Sequence, residues 1–235
     1  MPDIGSVTVQ VLSAASGTYT PTANMLNVLA ILIGGGAGGE SGIATDEVAG
    51  GGGAGGAVIE LYTAATIGAS QPFAVGASVA ADLNGNATSL GTAAALANAP
   101  GGLTGLASFG HALGGAGGAG TGGNLNIKGQ AGENGFVYST SQGHGGQGGS
   151  SLWGGGGASG GSNTVGGAGG PYGSGGAGGH ATGTPNMVGG SGSAGVIYMI
   201  EFVEAGSGRI MSSLAGPGGL ASHGGLAGAG GGLAG

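Results

Sequence analysis

Four histidines and nine acidic residues are the side chains of this 235-residue chain that could ligate a metal or transfer protons. No two histidines have the spacing of metal ligands, and the chain has no cysteine. A glycosidase needs two carboxylates at a fixed separation across a sugar. In the long glycine-rich part of the chain only Asp82 and Glu133 are available. We therefore expect a protein that is not an enzyme and that uses neither a metal nor a cofactor.

Several glycine motifs match catalytic or nucleotide-binding patterns. The strings "GAGGAG" (115–120) and "GSGGAG" (173–178) fit G-x-G-x-x-G, and "GASGG" (157–161) fits the nucleophile elbow. Because 69 of the residues are glycine, such matches arise by chance. None has the strand–turn–helix setting that a dinucleotide site or a nucleophilic serine requires. These motifs predict no chemistry.

The net charge of the chain bears on whether it binds nucleic acids or membranes. The formal net charge is −7, and the only basic residues are Lys128 and Arg209. Nucleic-acid binding needs clustered Lys and Arg, and so does docking on anionic lipid. The most apolar run, residues 25–33, is far too short to span a bilayer, and the first residues do not resemble a secretory signal. We expect neither nucleic-acid binding nor membrane insertion.

Aromatic, amide and basic side chains interrupt the glycine-rich sequence between residues 124 and 172. Loops on a rigid scaffold are where binding residues concentrate, and aromatic rings give contact area there at a small entropic cost. The alternative is that each ring covers a glycine face and shields it from water. We favour that alternative for Trp153 and leave it open for Tyr138. The candidate binding residues are Asn124, Asn126, Lys128, Phe136, Tyr138, Gln142, His144 and Tyr172.

The elements that must position these residues are short strands and glycine rods. Alternating or β-branched apolar runs predict strands, here at 6–12, 25–33, 57–62, 72–76 and 195–203. The last is apolar on both faces except at Glu201, which predicts a central strand covered on both sides. Glycine interrupts nearly every window that could be helical. We predict a mainly β fold with almost no helix, in which 4–76 and 195–203 form a small β-sandwich layer.

Gly-Gly-X blocks recur through the region of about 78–195, for example "GGAGGA" from Gly114 and "GGQGGS" from Gly145. A polyproline-II-type helix has three residues per turn and no internal hydrogen bonds. Such a helix places every X residue in one row and leaves two bare faces, whose backbone groups can pair with neighbouring chains. The spacing predicts a packed array of polyglycine-II-like rods. The alternative is a set of flexible glycine linkers.

Residues 204–235 form a separate tail beyond a main domain of 1–203. The tail contains the tandem repeat "LAGPGG", "LASHGG" and "LAGAGGG". In a three-residue helix, leucines six residues apart fall on one edge. We predict that Leu214, Leu220 and Leu226 pack against copies of the chain or against a neighbouring protein. The expected state is a homo-oligomer, with a trimer favoured; the alternative is a frayed C-terminus.

A series of strings within residues 5–203 resembles, in order, the glycine-rich domains of bacteriophage tail fibres. It is also similar in style to the distal tail-fibre adhesins of T-even-type phages. Two features depart from that pattern: the long N-terminal shaft is missing, and the tail lies beyond the domain. The strings are "SGTYTP" (16–21), "GGGAGG" (34–39), "GNATSLG" (85–91), "GGQGGSSLWGGGG" (145–157), "GPYGSGGAGG" (170–179) and "GSAGVIYMIEFV" (192–203).

This resemblance implies a polyglycine-II sandwich whose end loops bind a host receptor. The expected location is the virion, and the expected partners are other phage tail or particle proteins and a host surface glycan or outer-membrane protein. The alternative is a purely structural particle protein, such as a decoration or fibre-shaft subunit. Ice binding by a flat polyglycine-II slab fits the composition but not the strand-rich end.

Overall fold

The computed structural model describes residues 4–92, 96–139, 142–183 and 186–205. Leu214, Leu220 and Leu226 lie outside these residues. The described chain is mainly β, as predicted, and its one α-helix is a single turn. The first elements are β1 (Ile4–Leu12), β2 (Ser16–Tyr19), β3 (Met25–Ile33), β4 (Glu47–Ala49), β5 (Ala57–Thr63), α1 (Ala64–Ile67) and β6 (Gln71–Ala74). The later strands are β7 (Thr88–Leu90), β8 (Ala97–Ala99), β9 (Ala107–Phe109), β10 (His111–Ala112), β11 (Leu125–Ile127), β12 (Gly135–Ser139), β13 (Gln142–His144) and β14 (Val196–Glu204).

The largest sheet has five antiparallel strands in the order β1-β14-β3-β5-β11. The predicted strand near residue 200 is β14, and it pairs with β1 on one side and β3 on the other. Apolar β-branched and long aliphatic side chains dominate these strands, which suits a pleated, half-buried surface. The five predicted strands are confirmed, with small shifts at their ends.

The inner face of this sheet packs on a second sheet, ordered β2-β6-β7-β8. Together they bury a compact apolar core that includes Leu32, Val58 and Ile197 of the first sheet and Phe73 and Leu90 of the second. The helix α1 closes the core through Ile67, and Thr63 caps its first turn by accepting a hydrogen bond from the backbone N–H of Thr66. The predicted layer of 4–76 and 195–203 is too narrow, because β7 and β8 of the second sheet come from the region that we predicted to form rods.

The two faces of β14 differ from the expectation that both are covered. Ile197 and Met199 face inward and are buried. Tyr198, Ile200 and Phe202 point to the other face and are only partly buried by the described residues. The cause is topological, because the second sheet and α1 both pack on the inner face.

Segment 34–40 shows how the glycine-rich segments hold together. Its backbone N–H groups donate in rotation to carbonyls of three different neighbours. Residues 34, 37 and 40 donate to segment 50–56, residues 35 and 38 to segment 83–86, and residues 36 and 39 to segment 190–193. This period of three is the one that the Gly-Gly-X spacing predicts.

Segment 50–56 is the centre of the array, here called the rod bundle. It donates to three neighbouring segments, 100–106, 130–133 and 173–176, and accepts from three others, 34–40, 115–118 and, through Gly149, the segment 145–151. One rod surrounded by six is the lateral packing of polyglycine II. Two of these rods, 34–40 and 50–56, lie outside the predicted rod region of about 78–195.

Glycine is required in the rod bundle because neighbouring backbones approach too closely for a side chain. A Cβ added at Gly53 would lie 2.2 Å from the carbonyl oxygen of Ala116. At Gly36 it would lie 2.0 Å from the carbonyl oxygen of Ser174. Real Cβ atoms do not come this close to backbone, so the X positions alone can carry side chains.

Candidate binding surface at the loop end of the rod bundle

The rods connect two ends of the molecule. Segment 50–56 follows β4 and runs directly into β5 of the five-stranded sheet, so we name these the loop end and the sheet end. Each rod carries the chain from one end to the other. At the loop end the chain turns back through short strands, with β4 pairing β9 and β12 pairing both β10 and β13.

The three-stranded sheet β10-β12-β13 aligns a row of ring side chains. His111 lies directly opposite Phe136, and Phe136 lies directly opposite His144. Their ring centroids are 4.8 Å and 5.9 Å apart. Tyr138, two residues along β12, continues the row with a centroid 5.6 Å from that of His144. We call His111, Phe136, Tyr138 and His144 the ring cluster.

Hydrogen bonds fix the orientation of His144 within the ring cluster. Its Nδ1 lies 3.0 Å from the carbonyl oxygen of Gly145, so this nitrogen carries the proton and donates it. Its Nε2 lies 2.7 Å from the hydroxyl oxygen of Tyr138 and forms a second hydrogen bond with it. A side chain held by two such bonds presents a defined surface rather than a set of rotamers.

The ring cluster is open to solvent. Tyr138 is 69% exposed and Phe136 is 39% exposed. The register of β12 against β13 shifts between Val137 and Ser139, so Tyr138 occupies a β-bulge, a feature that redirects a side chain. Gln142, exposed at the start of β13, adds amide donor and acceptor groups beside the rings. Four of the predicted residues, Phe136, Tyr138, Gln142 and His144, therefore lie together.

Three other predicted residues lie at the sheet end instead. Asn124 precedes β11, where its side-chain amide donates to Glu60 at 2.9 Å. Asn126 lies on β11 and closes a local turn by donating to the carbonyl of Gly123 at 2.7 Å. Lys128 follows β11, and its backbone forms an isolated antiparallel β-bridge with that of Ala119. The two asparagines have structural hydrogen bonds there, and none of these residues extends the ring cluster.

Tyr172 also lies at the sheet end, in a tight turn where its φ of 57° is in the left-handed region. Its ring packs edge-on to Trp153 and Tyr198, with centroids 6.5 Å and 6.4 Å away. Trp153 contacts Tyr198 more closely, at 4.9 Å. Both rings therefore pack on a sheet residue, whereas the expectation for Trp153 was that it covers a glycine face.

The position of His180 differs most from what the sequence predicts. A side chain next to a Gly-Gly-X block should project from its rod, but His180 is fully buried. Its ring lies against Gly143, where an added Cβ would be 2.7 Å from Cε1. Neither ring nitrogen has a hydrogen-bond partner. Burial lowers the pKa of His180 below its ordinary value.

His111 is not among the predicted binding residues, but it belongs to the ring cluster through its pairing with Phe136. The sequence signal that could have placed His111 in the cluster is that the chain reverses its direction from one rod to the next. His111 and Phe136 are separated by an outward and a return rod, 113–120 and 129–134, so both lie at the loop end.

The loop end presents several kinds of side chain on one exposed surface. The ring cluster offers aromatic faces, imidazole and phenol groups, and an adjacent amide, side chains of the kind found in protein-binding surfaces. Among the residues that the structure describes, no group of three His, Asp or Glu side chains could hold a metal ion. Within the same residues, no helix is long and apolar enough to cross a membrane.

Comparison with known proteins leaves the geometry as the main guide to function. No protein-family model matches this chain, and no curated protein matches it either.

Proposed function

We propose that this chain is a structural component of a bacteriophage virion, a tail-fibre or tail-tip adhesin whose loop end binds a receptor on the host surface. The observation that carries the proposal is the ring cluster, exposed on hairpins at one end of a rod bundle. The glycine-rich strings that resemble tail-fibre domains supply the biological setting.

Preorganisation supports a binding role for this surface. The rods are fixed by backbone hydrogen bonds in every direction, so the hairpins that they carry start from a rigid base. A rigid base lowers the entropy lost on binding, and exposed aromatic residues contribute most of the energy in many interfaces. The host partner would be a surface glycan or an outer-membrane protein, and neither partner requires catalysis.

The test is adsorption of fluorescently labelled protein to a panel of intact bacterial cells. Tyr138→Ala and Gln142→Ala change exposed side chains at the loop end, and we expect both to reduce adsorption to any strain that binds the parent protein. Leu125→Ala is the matched control, since Leu125 is 51% exposed but lies at the sheet end. Circular dichroism of each variant establishes that folding is retained.

The alternative is a decoration or fibre-shaft subunit with no receptor role, and two results would favour it. One is unchanged adsorption by the Tyr138 and Gln142 variants. The other is a position along the particle rather than at its tip, measured by immunogold labelling of virions from producing cells.

A further inference from the structure

The outer face of the five-stranded sheet is apolar and only partly covered. Trp153 and Tyr172 pack on Tyr198 at one end of it, and the described residues leave the strands farther along largely exposed. Strand side chains alternate between faces, so the outward set follows from the inward core. Five strands spaced about 4.8 Å apart make a face of roughly 500 Å², at the upper end of what soluble monomers leave open. Several of its side chains are 51–56% exposed, namely Val7, Val9, Val11, Leu61 and Leu125.

The charged side chain that strand alternation places on this side is Glu204, which lies at the margin of the face, at the end of β14. Glu201 points into the core instead, where Tyr19 and Thr22 donate hydrogen bonds to it. A charged surface is therefore a poor match for the face. The occupant must be apolar and largely uncharged.

Two aromatic residues turn one end of the face into a pocket. Trp153 and Tyr172 rise from the rod side beside Tyr198, and together with Ile31 and Ile200 they line a cavity of about 370 Å³. Trp153 is 44% exposed there. The lining is almost wholly apolar, which suits branched aliphatic side chains rather than a polar ligand.

Residues 206–235 of this chain have the matching chemistry. They follow β14 directly, and between 210 and 235 they contain no Asp, Glu, Lys or Arg. Leu214, Leu220 and Leu226 recur at intervals of six residues, which places them on one edge of a three-residue helix.

The same segment is long enough to reach the pocket. Tyr198 lies six residues back along β14 from Glu204, or about 20 Å at strand spacing. The nine steps from Ala205 to Leu214 span about 28 Å in a polyproline-II-type helix. Attachment to β14 also gives the segment a high effective concentration at the face.

We propose that residues 206–235 pack on the outer face of their own five-stranded sheet, with the repeated leucines against the apolar strands and the Trp153 pocket. This inference does not depend on receptor binding at the loop end. It places the tail on its own domain, whereas the leucine repeat alone predicted contacts with copies of the chain or with a neighbouring protein.

Trp153, the only tryptophan of the chain, is a natural reporter of the proposed contact. The experiment compares the full chain with a full-length variant carrying Leu214→Ser, Leu220→Ser and Leu226→Ser. We expect the variant to show a red-shifted Trp153 emission and stronger quenching by acrylamide. The matched control, Ala215→Ser, Ala221→Ser and Ala227→Ser, changes the same number of tail residues and should behave like the parent protein.

A second variant ends the chain after Ala205 and should expose Trp153 in the same way. Every described contact lies within residues 4–205, so this deletion removes none of them. Adding a peptide of residues 206–235 should reverse the red shift. Equal quenching of the parent and leucine variants would overturn the proposal. A second result would also overturn it: Trp153 of the leucine variant stays protected from acrylamide, and diluting the protein abolishes this protection. That result would mean that a second copy of the sheet covers the face.

Discussion

The rod bundle around segment 50–56 and the sandwich around Leu32 bury their interiors in opposite ways. In the sandwich the interior consists of side chains, with Leu32 and Ile197 fully buried between two sheets. In the bundle the interior is backbone, where an added Cβ at Gly53 would meet a carbonyl at 2.2 Å. One region is held by apolar burial and the other by hydrogen bonds between rods.

This difference determines which substitutions each region can tolerate. A side-chain core can exchange volume among neighbours, because rotamers adjust when one side chain changes. A backbone core has no rotamers to adjust, so its only response to an added atom is to move whole rods apart and break their hydrogen bonds. The five predictions that follow test this contrast, beginning with the largest expected effect.

Gly53→Ala should be the most damaging of these substitutions. The new Cβ would lie 2.2 Å from the oxygen and 2.5 Å from the carbon of the Ala116 carbonyl. We expect the free energy of unfolding to fall by about 4 kcal/mol or more, measured by urea denaturation. Gly155→Ala is the control, because nothing lies within 4 Å of its added Cβ. A Gly53 variant as stable as the Gly155 variant would mean that rods shift freely and that the contrast is false.

Leu32→Ala should cost about 2–5 kcal/mol through lost burial and the cavity that remains. Leu32→Met keeps the volume and should cost less than about 1.5 kcal/mol. Both values come from the same denaturation measurement. The wide gap between the two variants is the signature of a side-chain core. If methionine were as harmful as alanine, the sandwich would be as intolerant as the bundle.

Tyr19→Phe probes a polar group inside the sandwich. The hydroxyl of Tyr19 donates to Glu201 at 2.6 Å, and both side chains are fully buried. Removing one donor from a buried carboxylate should cost about 1–3 kcal/mol. Tyr138→Phe, on the exposed ring cluster, is the matched control and should change stability by less than about 0.5 kcal/mol.

The same pair predicts a loss of stability in alkali. Burial, followed by the hydrogen bond to Glu201, raises the pKa of Tyr19 above its ordinary value. The unfolded chain then releases this proton near pH 10 while the folded chain retains it. Stability is thus present below pH 10 and lost as pH rises further. Tyr19→Phe should weaken this alkaline loss in thermal melts, and an unchanged pH profile would contradict the assignment.

The buried His180, at the loop end, should cause a smaller loss of stability at mildly acidic pH. Burial lowers its pKa, so as pH falls below about 6.5 the unfolded chain binds a proton that the folded chain does not. Stability present above that pH is lost as pH falls toward the folded pKa. We expect His180→Leu to melt at a less pH-dependent temperature than the parent between pH 7.5 and 5. His111→Gln, an exposed position, is the control. Parallel pH profiles for the parent and the His180 variant would refute the prediction.

The strands and the rod geometry could be predicted because each depends on local sequence. The apolar run at 25–33 coincides with β3, and the threefold glycine spacing matches the observed period of hydrogen bonding. The neighbours of each rod could not be predicted. Gly-Gly-X blocks carry nearly the same side chains, so nothing in segment 50–56 identifies the six segments around it.

The candidate site was predicted in part for the same reason. Phe136, Tyr138, Gln142 and His144 occupy one hairpin, so proximity in sequence placed them correctly. Tyr172 is separated from them by three rods, 145–151, 154–160 and 165–170, and an odd number of rods puts it at the opposite end. Counting rods from the glycine blocks is the sequence signal that separates the two ends.

The position of β14 has a consequence for the order of folding. β14 lies between β1 and β3, so Ile4 pairs with Glu204 across nearly the whole described chain. During synthesis the two flanking strands emerge long before the strand that joins them, and both present open edges to the cell. Pairing over such sequence distances makes folding slow, and exposed edges invite aggregation. Co-expression with chaperones or a lower growth temperature should therefore raise the soluble yield of this protein.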